Sequence, residues 1–120
     1  MASYRDLVVW QKAMDLVVEV YRLTKKLPKE ETYALSSQMR RAAVSIPVNI
    51  AEGQDRNTNK EFCNYLYIAR GSRAELETQI NICIRIGYLT IEDDIETSMN
   101  LINEVGRMLS KLISKLITDN

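Results

Sequence analysis

From Leu7 to the C-terminal end, apolar residues return at steps of three and four, and nowhere do they alternate with period two for long enough to make a strand. That rhythm commits the chain to helix. The stripe Trp10, Met14, Val17, Tyr21, Thr24 predicts a first helix between Leu7 and Leu27, stopped by Pro28. Leu35, Met39, Ala42, Ile46, Ile50 and Gly53 predict a second from about residue 33 to 55. Thr58 and Glu61 form a capping box that opens a third helix at about residue 59. Phe62, Leu66, Ala69, Leu76, Ile80 and Cys83 share one side of it, and Gly87 supplies a left-handed stop. Thr90 and Asp93 repeat the capping pattern before a fourth stripe of Ile91, Ile95, Met99, Ile102, Val105, Leu109, Ile113 and Leu116. Short links between successive helices predict an all-α protein, an antiparallel up-down-up-down four-helix bundle forming one domain over residues 1–120.

The amount of apolar surface says more than its position. A helix facing one core needs about three apolar positions in seven, whereas residues 7–27 hold thirteen in twenty-one. Helix 3 carries Tyr65, Tyr67, Ile68, Ile82, Ile84 and Ile86 beyond its main stripe. A lone subunit would expose a large apolar patch, so the chain is expected to assemble with copies of itself. Val9, Trp10, Ala13, Leu16, Val18 and Val20 are the interface candidates, together with part of helix 3.

Beside the apolar stripe of helix 2 runs a polar one: Gln38, Arg41, Ser45, Asn49, Glu52 and Arg56. If helices 2 and 3 turn back on each other near residue 57, Arg41 comes opposite residue 73, within a turn of Ser72 and Glu75. The reading that follows is internal joinery. Arg41 pairs with Glu75 out of water, Ser45, Asn49, Glu52 and Ser72 complete the network, and the network sets register more than stability.

Catalysis has little to stand on. The chain has no histidine, which removes the di-iron Glu-x-x-His pattern, the usual zinc sites and any Ser-His or Cys-His nucleophile pair. No glycine-rich phosphate loop is present, and no catalytic, cofactor-binding or metal-ligating residues are assigned. A non-enzymatic protein with no cofactor and no small-molecule substrate is expected. Cys63 and Cys83 lie twenty residues apart on one helix, about 30 Å, so they read as two separate buried thiols of a reducing compartment. Without a long apolar run or a leader-like start, a cytoplasmic protein with no membrane partner is expected.

The run QMRRAAVSIPVNIAEGQDR, followed by EFCNYLYIARGSRAELETQINICIRIGYL, resembles the four-helix-bundle proteins encoded in intervening sequences of bacterial 23S rRNA genes. The opening YRDLVVWQKAMDLVVEVY fits as well, so the likeness spans nearly the whole chain. The resemblance implies a ring-like homopentamer. It also implies kinship with the accessory protein of diversity-generating retroelements, a basic pentamer that works with reverse transcriptase and RNA.

This chain balances sixteen basic against sixteen acidic residues. The charge is uneven along it. Residues 38–85 hold seven basic and five acidic side chains, while residues 86–120 hold three and six. Arg40, Arg56, Lys60, Arg70 and Arg73 are therefore the candidates for contact with nucleic acid, and repetition around a ring would give a weak patch avidity on a long polyanion. Two functions stay open: a module associated with RNA or a ribonucleoprotein, and a protein-interaction scaffold that binds no nucleic acid.

Overall fold

The computed structural model describes residues 3–93 and 95–119, and among them the regular structure is entirely helical. Four long helices, α1 (Val8–Thr24), α2 (Leu35–Gln54), α3 (Asn59–Ile86) and α4 (Ile95–Thr118), follow one another through short links.

The ends of the helices have local causes. α1 stops three residues short of Leu27, because the N–H groups of Lys26 and Leu27 turn to the carbonyls of Leu23 and Thr24, at 3.0 and 3.2 Å, and tighten the last turn. Pro28 then opens a 3-10 turn, Lys29–Glu31. No side chain caps α2 at Ala34, and the Glu31 carboxylate instead accepts the Leu35 N–H at 3.3 Å. Its other oxygen accepts the Tyr88 hydroxyl at 2.9 Å. α2 continues through Pro47, which is buried.

The Thr58 hydroxyl accepts the Glu61 N–H at 3.1 Å as expected, although the Glu61 carboxylate returns to that hydroxyl, at 3.2 Å, rather than to the backbone. Gly87 takes φ 94°, and the Tyr88 N–H reaches the Cys83 carbonyl at 2.8 Å to close α3. The Thr90–Asp93 turn also forms. Its backbone N–H at 2.6 Å, and then Lys26 at 3.3 Å, hold the Asp93 carboxyl below the usual range. That turn does not run into the helix. The Asp93 side chain closes a separate 3-10 turn, Ile91–Asp93, and α4 begins only at Ile95, so Ile91 is 87% exposed rather than part of the apolar stripe.

All four helices contribute to one core. Leu16, Val20 and Leu23 of α1 meet Met39, Ile46 and Ile50 of α2, Leu66, Leu76 and Ile80 of α3, and Ile102, Val105 and Leu109 of α4. The cross-links between helices run in steady order. Met39 meets Cys83 at 3.7 Å, Ser45 meets Ser72 at 2.9 Å, and Asn59 donates to the Leu116 carbonyl at 3.4 Å. Lys12 pairs with Glu104 at 3.3 Å. Near their shared turn, α2 and α3 approach so closely that a Cβ on Gly53 would stand 2.8 Å from the Tyr65 Cβ.

Both cysteines are buried and unbridged. Burial, and then the charge of Glu31, pushes the Cys83 thiol from 9.0 to about 11. The folded chain thus holds that proton more tightly than the unfolded one, so the contribution to stability is complete below pH 9.0 and is lost as pH rises towards 11. At about pH 8 the native protein is expected to leave a thiol-labelling reagent unconsumed until it is unfolded. Labelling at the rate of the denatured chain would show that the core opens freely.

Candidate nucleic-acid interface and subunit face

The polar line of α2 is half joinery and half surface. Ser45 and Ser72 share a hydrogen bond, and the Asn49 amide donates to the Ser45 hydroxyl at 3.0 Å and to the Ser45 carbonyl at 2.8 Å. The expected buried pair does not form within the chain. Arg41 and Glu75 are both exposed and share no ion pair, and Glu52 is exposed as well. Ser45 and Ser72 do meet, but Arg41 and Glu75 are turned away from each other. Arg41 lies on the outer side of α2, where its charge stays hydrated, and Glu75 accepts instead from Gln79 at 3.2 Å.

The interface candidates divide in the same way. Val9, Ala13, Leu16 and Val20 belong to the subunit's own core, so they are not free to meet a second copy. α1 is wrapped by both α2 and α4, which consumes more of its circumference than one stripe. Trp10 is half-buried with its ring edge-on to Tyr4, 5.3 Å between centroids. Val18 alone of the six is exposed, at 67%. The apolar surface left outside includes Val8, Met14, Val18 and Tyr21 of α1, Val44 and Val48 of α2, and Tyr67, Ile68, Ile82, Ile84 and Ile86 of α3. Position counting missed the two α2 valines, which stand four apart on a face beside the buried stripe of Met39, Ile46 and Ile50.

The basic candidates fall in three places. Arg40 donates through Nε to Thr24 Oγ1 at 2.8 Å, and its guanidinium lies 4.3 Å from the centre of the Tyr21 ring, on the α1 side. Arg56 donates to the Tyr65 hydroxyl at 2.6 Å, near the turn into α3 that also carries the exposed Lys60. Arg70 and Arg73 face α4. There they meet Arg107, Asn103 and Ser110 around a groove of about 460 Å³ whose lining contains no carboxylate. Arg70 stacks 5.2 Å from the Tyr67 ring centre and reaches Ser110 Oγ at 3.4 Å. Arg73 pairs with Glu77 at 3.6 Å, yet its Nε is buried with no acceptor. It lies across Gly106, where a Cβ would stand 2.9 Å from that Nε. Arg107 was not anticipated from sequence. The signal was there in Asn103, Gly106, Arg107 and Ser110, spaced to share one face of α4.

Among the described residues no group of three or more histidine, cysteine or acidic side chains could hold a metal ion, and no helix is long and apolar enough to cross a membrane.

A family model for the 23S rRNA-intervening sequence protein matches residues 5–111. A crystal structure of a Bacteroides thetaiotaomicron protein of unknown function, from the S23 ribosomal protein family, superposes with a TM-score of 0.79 at 30% identity, covering 89% of this chain and 96% of that one. No curated protein matches. With a match running from the first turn almost to the end of α4, this four-helix, all-α chain belongs to the 23S rRNA-intervening sequence protein family.

Proposed function

We propose that this chain is a single-domain, non-enzymatic cytoplasmic subunit of a homo-oligomeric ring that associates with RNA or a ribonucleoprotein. The observation that carries the RNA reading is the groove in which Arg70, Arg73 and Arg107 gather without a carboxylate among its lining. Arg73 is paired with Glu77, but Arg70 and Arg107 have no ion-pair partner among the described residues, so a phosphate oxygen entering the groove meets two uncompensated guanidinium groups. The pairing of Met39 with Cys83, Ser45 with Ser72 and Asn59 with Leu116 supports an antiparallel up-down course for the bundle. The exposed Val18, Met14 and Ile68 support assembly, because water gains by their removal. Five copies is the number that the family resemblance implies, as it implies kinship with the retroelement accessory protein.

Sedimentation at micromolar concentration is expected to give a multiple of 13.8 kDa, with Val18→Asp lowering it. Binding of the same assembly to RNA is expected to weaken steeply with salt, and replacing both Arg70 and Arg107 by alanine should reduce the slope by about 2 for each groove engaged. A clean monomer removes the ring, and binding indifferent to salt removes the phosphate contacts. A second reading, a protein-interaction scaffold, is favoured by Ile82 and Ile86, exposed four residues apart on one face near the end of α3. It predicts capture of one protein without RNA, before and after nuclease treatment, and little dependence on salt.

A further inference from the structure

A second concavity lies elsewhere, between the C-terminal half of α1, the link that follows it and the first half of α2. It is a cleft of about 880 Å³, within the range of sites that hold small organic ligands. In a chain with equal numbers of acids and bases, its lining includes Lys25, Lys29, Arg40 and Arg41 and no aspartate or glutamate.

Neither glutamate of the adjoining link, Glu30 or Glu31, lines the cleft, and Glu31 is spent on other work. Glu31 caps Leu35 with one oxygen and takes the Tyr88 hydroxyl with the other. Arg22 and Lys26, on the same helix end but outside the lining, are matched by Glu19 at 3.0 Å and Asp93 at 3.3 Å. The cations of this corner that turn away from the cleft are thus neutralised, while Lys25, Lys29 and Arg41 have no ion-pair partner among the described residues.

Arg40 is the prepared member of the set. Its Nε is fixed on Thr24 Oγ1 and its plane rests on Tyr21, so the orientation of the terminal nitrogens is set before any ligand arrives. A simple anion would use only this charged end. The cleft also has an apolar side made by Val44 and Val48, and at its rim the ring of Tyr33 is 95% exposed with no aromatic neighbour in contact. A planar, weakly polar group beside a phosphate fits both halves, because every nucleobase offers a face for stacking.

We infer that this cleft is a nucleotide site, in which Arg40, Arg41 and the two lysines hold a phosphate while Tyr33 stacks on the base. The ligand is one nucleotide unit, either free or part of a single strand. The inference does not rest on the α3–α4 groove, which shares none of its residues.

Calorimetric titration of the full assembly tests it with four probes: inorganic phosphate, adenosine, adenosine monophosphate, and a short unstructured oligoribonucleotide. The monophosphate or the oligonucleotide is expected to bind at least tenfold more tightly than phosphate or adenosine, since two recognition elements act together. Binding of both identifies a free nucleotide as sufficient. Binding of the oligonucleotide alone assigns the unit to a strand. Arg41→Ala and Tyr33→Ala alter exposed side chains, so the fold survives, and each is expected to weaken binding by roughly tenfold. The double replacement of Arg70 and Arg107 should leave monophosphate binding, or the Tyr33-dependent part of strand binding, unchanged, which separates this site from the groove. Equal affinity for phosphate and for both nucleotide probes, or nucleotide binding indifferent to both Arg41→Ala and Tyr33→Ala, would overturn the assignment.

Discussion

Replacing Leu16 by alanine is expected to destabilise the fold by about 2–5 kcal/mol, whereas the same change at Val18, two residues on, should cost under about 0.5 kcal/mol in the isolated subunit. The two residues look alike in sequence, but they differ in surroundings. Leu16 is completely buried between the other helices, and its removal leaves a void that stiff neighbours such as Ile46 and Ile102 fill only in part. Val18 is exposed, so within one chain alanine loses few contacts there. Denaturant unfolding at several protein concentrations distinguishes core from interface. The penalty at Leu16 should be the same at every concentration, while any penalty at Val18 should grow as subunits associate. A cost at Leu16 that vanishes on dilution would return that residue to the interface between copies.

Gly53→Ala is expected to destabilise by about 1–3 kcal/mol, against the ordinary preference of a helix for alanine. The new Cβ would meet both Phe62 Cδ1 and the Tyr65 Cβ at 2.8 Å. A phenyl ring can rotate aside. The Tyr65 Cβ is fixed to the backbone of α3, so α2 and α3 must move apart, loosening the contact that Ser45 and Ser72 hold further along. Gly71 is the natural control, since a Cβ there meets nothing within 4 Å, and Gly71→Ala should stabilise by about 0.5–1 kcal/mol. Equal effects of the two changes, read from thermal or denaturant midpoints, would mean that the helices are not in close contact at Gly53.

Helix content and the core faces of α2, α3 and α4 were readable because both follow from spacing along the chain. In α2, α3 and α4 the expected stripes, with Met39, Ile46 and Ile50, Leu66, Leu76 and Ile80, and Ile102, Val105 and Leu109, are the buried ones, whereas in α1 the buried stripe is Val9, Ala13, Leu16, Val20 and Leu23 rather than the expected one through Met14 and Tyr21. The turn near residue 57 sets the level at which α2 and α3 meet, with Ser45 beside Ser72. What spacing leaves open is rotation about each helix axis. One or two residues of rotation decide whether Arg41 faces Glu75 or water, and whether Arg70 and Arg73 look towards α2 or α4. For the same reason the five basic candidates dispersed, and Arg107 joined two of them from a helix that carries a net negative end. The start of α4 was misplaced on different grounds. Thr90 and Asp93 spell a helix cap and a self-contained turn in the same letters, and only the following residues choose between them.

Gly106 makes the position of Arg73 depend on an atom that α4 lacks. A methyl group at that point would press on the Nε, Cδ and Cζ of a flexible side chain rather than on backbone, so the guanidinium could swing out with little strain on the helices. Thermal stability and groove geometry are therefore separable at residue 106: an alanine there would pass a melting assay while displacing the Arg73 guanidinium from the groove. Homologues that fill that space are expected to carry a shorter or differently aimed partner at position 73, and the two sites should change together through evolution.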